Sequence, residues 1–315
     1  MDIKGIFNFS NDPGFGQKFS SKTKRVINKD GSFNVKRVPP KGKTRNYYHR
    51  LISMSWSRFL LLNLLIYILV NVFFALIYML IGVEKISGLT RGSLIDDFAN
   101  SFFFSVQTLT TVGYGVLSPT GFMAGMVASL EALSGLLLVA LATGLLYGRF
   151  SKPSAKIIFS DNAIIAPYND INALEFRIAN LRSNTLIDME ASVMFTRNYK
   201  NEKGEWVRNY YTLELERDHI HFFPLTWTVV HPISESSPLF GLNRKQLLAQ
   251  NAEILILIKG FDDTFAQQVH SRYSYLAGEV IWGRKYEKAF SANVQGDLVV
   301  ELGKINDTIE ADLNG

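Results

Sequence analysis

The apolar positions of this chain are gathered into two long runs. Residues 59–82 (FLLLNLLIYILVNVFFALIYMLIG) are 24 consecutive positions without a charge. At about 1.5 Å rise per residue, a helix of that length exceeds the roughly 30 Å hydrocarbon core of a bilayer, so the run predicts a membrane span. Residues 121–148 form a second run of 28, interrupted by the single charge of Glu131 and rich in Gly, Ala and Ser. Such small residues let membrane helices approach closely. A lone carboxylate inside a span should face a pore or a partner.

Shorter patterns fill the rest of the chain. Residues 44–56 interleave Tyr47, Tyr48, Leu51, Ile52 and Met54 with Arg45, His49 and Arg50, which suits a short amphipathic helix lying on a membrane surface. Between the runs, residues 93–108 (SLIDDFANSFFFSVQT) predict a second amphipathic helix of about four turns. Ser93 is its candidate N-cap, and Asp96 and Asp97 sit in the first turn, where the helix dipole favours acids. It is too short to cross. After Pro153, β-rich runs at 156–159, 175–179, 191–195, 212–215, 226–230 and 254–258 alternate with turn-forming clusters, the rhythm of an antiparallel β-sandwich. The predicted organisation is a basic flexible tail (1–43), a two-span helical pore domain (44–153) and an all-β domain (154–315).

Charge orients these parts. Residues 1–58 hold 13 Lys and Arg against 3 acids, residues 59–153 are balanced at 4 against 4, and residues 154–315 hold 16 against 21. Basic residues concentrate before the first span and, as Arg149, Lys152 and Lys156, after the second, so the positive-inside rule puts both termini in the cytoplasm of a multi-pass protein of the plasma membrane. The sequons at Asn8 and Asn306 then lie on the wrong side for glycosylation, and residues 1–9 offer no apolar run for a cleavable signal peptide. Zero Cys removes disulfides, thiolate metal sites and cysteine nucleophiles. Composition, 47% apolar and 19% charged, excludes wholesale disorder.

The chemistry lies in Thr111-Val112-Gly113-Tyr114-Gly115, directly after the half-crossing helix. Gly-rich extended backbone at membrane depth is tolerated only where it lines a water-filled path. Gly113 and Gly115 permit backbone angles closed to other residues, so that successive carbonyls can point one way and replace an ion's hydration shell, with the Thr111 hydroxyl at the inner end. This is the residue set that a potassium filter needs, with potassium held at Thr111, Val112, Gly113 and Tyr114 and the Tyr114 ring turned away to brace the loop. Four converging loops are required, which predicts a homotetramer.

With this filter, the interfacial helix ending in Ser55-Trp56, the span exit Tyr147-Gly148-Arg149-Phe150-Ser151-Lys152-Pro153, and the C-terminal strings Ala179-Asn180-Leu181-Arg182, residues 227–233 (WTVVHPI), Ser237-Pro238-Leu239-Phe240-Gly241 and residues 279–283 (EVIWG), the chain from about Tyr47 onward resembles the prokaryotic inward-rectifier potassium channels. The resemblance implies an immunoglobulin-like cytoplasmic sandwich coupled to the pore. It puts one gate at Tyr147, where four aromatic rings could close the helix-bundle crossing, and another constriction at Gly260 and Phe261. It gives Arg149 and Lys152 to anionic lipid headgroups, each charge being worth about 1 kcal/mol near such a surface. Where strong rectifiers carry an acid for magnesium or polyamine blockers, this chain has Val139. Glu131, about two turns nearer the filter, could supply a ring of carboxylates to the cavity instead. Gln107 replaces the Glu behind the filter, and Leu117 stands where its Arg partner would be, so hydrogen bonds are expected to brace the loop.

Competing readings are a potassium pore that leaks or opens to a ligand without rectifying, and a membrane-anchored sandwich acting as adaptor. An enzyme has least support, because His219, His221, His231 and His270 form no H-E-x-x-H or comparable pattern. No cofactor is implied beyond the permeant potassium ions. The basic tail lacks the aromatic groove of a nucleic-acid binder, so an anionic membrane surface is the expected partner.

Overall fold

The computed structural model describes residues 12–16, 18–19, 25–36, 38, 47–151 and 155–314. They fall into two compact units, residues 39–152 and residues 1–38 with 153–315. In chain order, strand β1 (Lys18–Phe19) precedes helices α1 (Tyr47–Ser53) and α2 (Trp56–Ile81). Two short strands, β2 (Ile86–Ser87) and β3 (Ser118–Pro119), flank α3 (Leu94–Leu109), and α4 (Phe122–Phe150) closes the helical unit. The other unit follows with β4 (Ile157–Phe159), β5 (Ala163–Tyr168), β6 (Ile171–Asn180), β7 (Leu186–Lys200), β8 (Trp206–Thr212), β9 (His219–Phe222) and β10 (Trp227–Pro232). Helix α5 (Arg244–Ala249), β11 (Glu253–Asp262), β12 (Gln267–Leu276) and β13 (Val280–Trp282) complete the part used below.

The two predicted spans are α2 and α4, each long and apolar enough to cross a membrane. Their apolar residues run all round the helix, as lipid and neighbouring helices require. The predicted amphipathic segments are α1 and α3. Helix α3 starts at the expected place: Ser93 Oγ accepts from the Asp96 N–H and the Asp96 carboxylate accepts from the Ser93 N–H, both at 3.3 Å. That reciprocal pairing satisfies donors that the first turn leaves orphaned. Phe74, Tyr78, Ile86 and Phe104 pack into one core under Leu117, which ties α2 and α3 together.

The C-terminal unit is a sandwich. One sheet runs β1-β8-β7-β11-β12 with β9 added on β7, and the other runs β10-β6-β5-β13 with β4 added on β6. Pairing is antiparallel except between β5 and β13. Alternate residues of both sheets meet in a single core, Leu174, Phe176, Ile178 and Val229 from one and Val193, Phe195, Ile254, Ile256 and Ile258 from the other. Five of the six expected strand runs lie in β4, β6, β7, β10 and β11. The run at 212–215 does not: β8 ends at Thr212, and Leu213 is buried as the chain leaves the sheet. An apolar alternation too short to tell a strand from a packed connection misled the reading there.

The tail is also different from the expectation. Its described residues belong to the sandwich unit rather than standing apart. Ile27 is buried with Tyr210 and Leu255, and the Arg25 guanidinium bonds the Ser274 carbonyl at 2.9 Å and pairs with Glu279. β1 adds a strand to the edge of β8. Basic composition alone does not tell a solvated run from one whose cations find acids on a distant strand.

His231 on β10 is buried, with Nδ1 2.5 Å from the Glu214 carbonyl and Nε2 2.8 Å from Ser237 Oγ. A carbonyl only accepts, so Nδ1 carries the proton and the Ser237 hydroxyl donates to Nε2. Burial of the ring pushes its pKa below the ordinary histidine range, against the opposing pull of the Glu214 carbonyl. The folded state therefore binds fewer protons than the unfolded one at this site. Its stabilising effect is complete above about 6.5, the unfolded value, and is lost as pH falls through the lower folded value. The melting temperature of the protein should drop as pH is lowered from 7 to 5, and the drop should be shallower in His231→Gln.

Candidate functional site: the loop after α3 and its supports

Helix α3 has 16 residues, about 24 Å, and stops inside the helical unit. Thr110 is still right-handed, and the chain then alternates hand: Thr111, Gly113 and Gly115 have φ of 57°, 52° and 83°, while Val112 and Tyr114 stay negative. In a strand, successive carbonyls point opposite ways. Reversing the hand at every second residue is what turns them to one side, as a ring of carbonyl ligands requires. The left-handed backbone at both glycines was legible, and an ideal Cβ on either would meet nothing within 4 Å, so backbone angle and not crowding demands them. Left-handed Thr111 was not legible. A β-branched residue there is strained, and the bond from its N–H to the Thr108 carbonyl (3.0 Å) helps to hold it.

Gln107 braces the loop as expected. Its backbone carbonyl accepts from the Val112 and Gly113 N–H groups (3.0 and 3.3 Å), and its side-chain Oε1 accepts from the Tyr114 N–H at 3.3 Å. The Tyr114 ring does not brace within the subunit, being 79% exposed.

Glu131 is not in the open cavity that was expected for it. It is fully buried on α4, where the Tyr78 hydroxyl of α2 donates to Oε2 at 2.6 Å and the Ser105 hydroxyl of α3 donates to Oε1. Ser105 Oγ also lies 3.1 Å from Asn71 Oδ1 of α2. The carboxylate thus found a partner rather than the pore, the other half of the alternative that a lone intramembrane acid poses. One turn along α4, Gly135 brings the helix so close to α3 that a Cβ would stand 1.8 Å from the Leu109 carbonyl oxygen. Val139, a turn further, is 64% exposed and lines a cavity of about 270 Å³ with Leu109, Thr110 and Gly135. Tyr147 is also exposed, three residues before the end of α4.

Arg149 uses part of its guanidinium inside the helical unit. Nη1 and Nη2 donate to the Leu51 and Met54 carbonyls at 2.7 and 2.8 Å, and the guanidinium lies over the Trp56 and Phe59 rings at 4.6 and 4.5 Å. It fastens the corner between α1 and α2, which no sequence spacing reveals. Lys152 lies outside the described residues.

The Gly260 and Phe261 expectation also changes. Gly260 is inside β11, paired with Val269 of β12 at a bulge against β7, and the Met189 sulfur occupies the space of its missing Cβ. The exposed tip of this hairpin is residues 263–266, with Ala266 at φ 48°. Gly260 is needed for close packing, and Phe261 beside it is exposed.

Residues 157–314 match the family model for the inward rectifier potassium channel C-terminal domain, and residues 65–152 match the ion channel model. The chain is 36% identical over 294 residues to the inward rectifier potassium channel Kirbac3.1 of Paramagnetospirillum magnetotacticum, covering 93% of this chain and 98% of that one. It is 26% identical to the ATP-sensitive inward rectifier potassium channel 12 of Gallus gallus, covering 87% of this chain and 70% of the relative. For inward rectifier potassium channel irk-1 of Caenorhabditis elegans the identity is 27%, over 85% of this chain and 53% of the relative. A C-terminal match over half of the chain, and a bacterial relative aligned over nearly its whole length, mean that this two-span chain belongs to the inward-rectifier potassium channel family, among its KirBac-type members.

Proposed function

We propose that four copies of the chain surround one potassium-selective pore, with residues 111–115 as the filter, in a plasma membrane with both termini cytoplasmic. The alternation of hand at Thr111, Gly113 and Gly115 carries this reading, because that backbone serves no other purpose so well as presenting carbonyls to a dehydrated cation. Val112 and Tyr114 stand exposed on the single subunit, as they would if neighbouring subunits covered them. The negative end of α3, near Thr108, favours a cation in the cavity below. Val139 supplies no charge there, so block by magnesium or polyamines is weak. Gating falls to the Tyr147 rings and to the β11–β12 tip. Anionic lipid acts through exposed Arg50 and Arg58, since Arg149 is committed to carbonyls.

The test is rubidium uptake into liposomes containing anionic lipid, driven by a potassium gradient. Uptake should be blocked by barium, should not be matched by sodium, and should fall to the level of protein-free liposomes in Gly113→Asp. Equal sodium uptake by wild-type tetramers would end the proposal.

A further inference from the structure

The sandwich carries a cluster of side chains that the proposed pore does not use. Among the described residues, Asp188, His219 and His221 present ligand atoms that all lie within 4.8 Å of one another. His219 and His221 are two apart on β9, so both rings stand on one face of that strand. β9 runs antiparallel to β7, with Glu190 opposite His219 and Met189 opposite Ile220. This register brings Asp188 across from His221. Asp188 has a left-handed backbone, φ 47°, at the bulge where β7 meets β11. His221 Nδ1 is 3.4 Å and His219 Nε2 is 3.8 Å from the same oxygen, Asp188 Oδ1. The two rings meet edge to face with centroids 4.8 Å apart.

We infer that Asp188, His219 and His221 form a binding site for a divalent transition-metal ion of the zinc class. Two imidazole nitrogens and one carboxylate oxygen are the donor set of three-ligand zinc sites, in which water takes the fourth position. With metal–ligand distances of about 2.0–2.2 Å, neighbouring donors of a tetrahedron stand about 3.4 Å apart. The Asp188–His221 separation already has that value, and the His219 separation needs only a few tenths of an ångström of closure. Imidazole donors select such ions over magnesium or calcium, which take oxygen. Glu190, on the same face, is occupied by Lys259 at 3.0 and 3.3 Å and leaves the fourth position to water. All three ligands are exposed, so an ion reaches them without opening the core. A bound ion would clamp β9 to β7 beside the bulge that packs on Gly260.

The experiment uses the full-length protein with its affinity tag removed, stripped with a chelator and titrated with zinc in a competition assay against a chromophoric chelator. One zinc should bind per chain. Affinity should fall at least tenfold in His221→Gln and Asp188→Asn, and should be unchanged in His270→Gln, an exposed histidine on β12. Cobalt(II) should bind with the visible absorption of a four-coordinate site, and magnesium in large excess should not compete. Zinc binding as tight in the His219→Gln/His221→Gln double variant as in wild type would overturn the inference. So would competition by magnesium at equal concentration.

Discussion

Glu131→Ala is expected to lower the thermal stability of the purified protein sharply and to cut rubidium uptake by more than tenfold, although the hydrogen bonds of residue 131 go to Tyr78 and Ser105 rather than to the loop at 111–115. The substitution removes the shared acceptor of the Tyr78 and Ser105 hydroxyls in a site from which solvent is excluded. The Tyr78 hydroxyl is left without its acceptor, at a cost of about 1–3 kcal/mol, while Ser105 keeps Asn71 Oδ1 at 3.1 Å. The three groups come from α4, α2 and α3, and Gln107, which holds the loop, is two residues from Ser105 on α3. Loosening this junction should therefore release the loop. Glu131→Gln, which can still bond both hydroxyls, should keep most of the stability and uptake. If the alanine variant melted and conducted as wild type, the carboxylate would not be what joins the helices.

The second large effect is expected at Glu253. Its fully buried carboxylate accepts from the Val26 N–H (2.9 Å to each oxygen) and the Ile27 N–H (3.3 Å), with Arg208 Nη1, also buried, 3.8 Å away. Burial pushes this carboxyl up, and bonds from Ser274, Val26 and Ile27 and the Arg208 charge pull it back. Removing one partner of a buried ion pair typically costs about 3–5 kcal/mol. Glu253→Ala should destabilise the sandwich by that order in denaturant unfolding. It should also free the N-terminal segment, making cleavage by trypsin after Arg25 and Lys29 faster than in wild type. Unchanged cleavage would mean that Ile27, packed on Tyr210 and Leu255, holds the segment by itself.

What could be read from the chain is what depends on neighbours in sequence. A span needs only an unbroken apolar run, the Ser93 cap only its partner Asp96, and a left-handed turn of backbone at 113 and 115 only its two glycines. Five of the six expected strands were legible for the same reason, since burial on one face writes itself as alternation. The family could be recognised because its motifs are local strings. Roles that depend on a distant partner were not visible.

Glu131 looked like a cavity acid because nothing near it in sequence announces Tyr78, 53 residues away, or Ser105. The bonds from Arg149 to the Leu51 and Met54 carbonyls were invisible because those residues are nearly a hundred positions earlier. For Gly260 the sequence offered a constriction by resemblance, and only the packing of Met189 across the β7 bulge shows that it is also a close approach inside a sheet. His219 and His221 were dismissed for want of a linear metal motif, since the third ligand comes from another strand. Local free energy, in helix capping, turn angles and transfer of side chains into lipid, is a function of sequence alone. The destination of a buried charge or donor is set by which segments the fold brings within about 3 Å of it, and only the tertiary structure decides that.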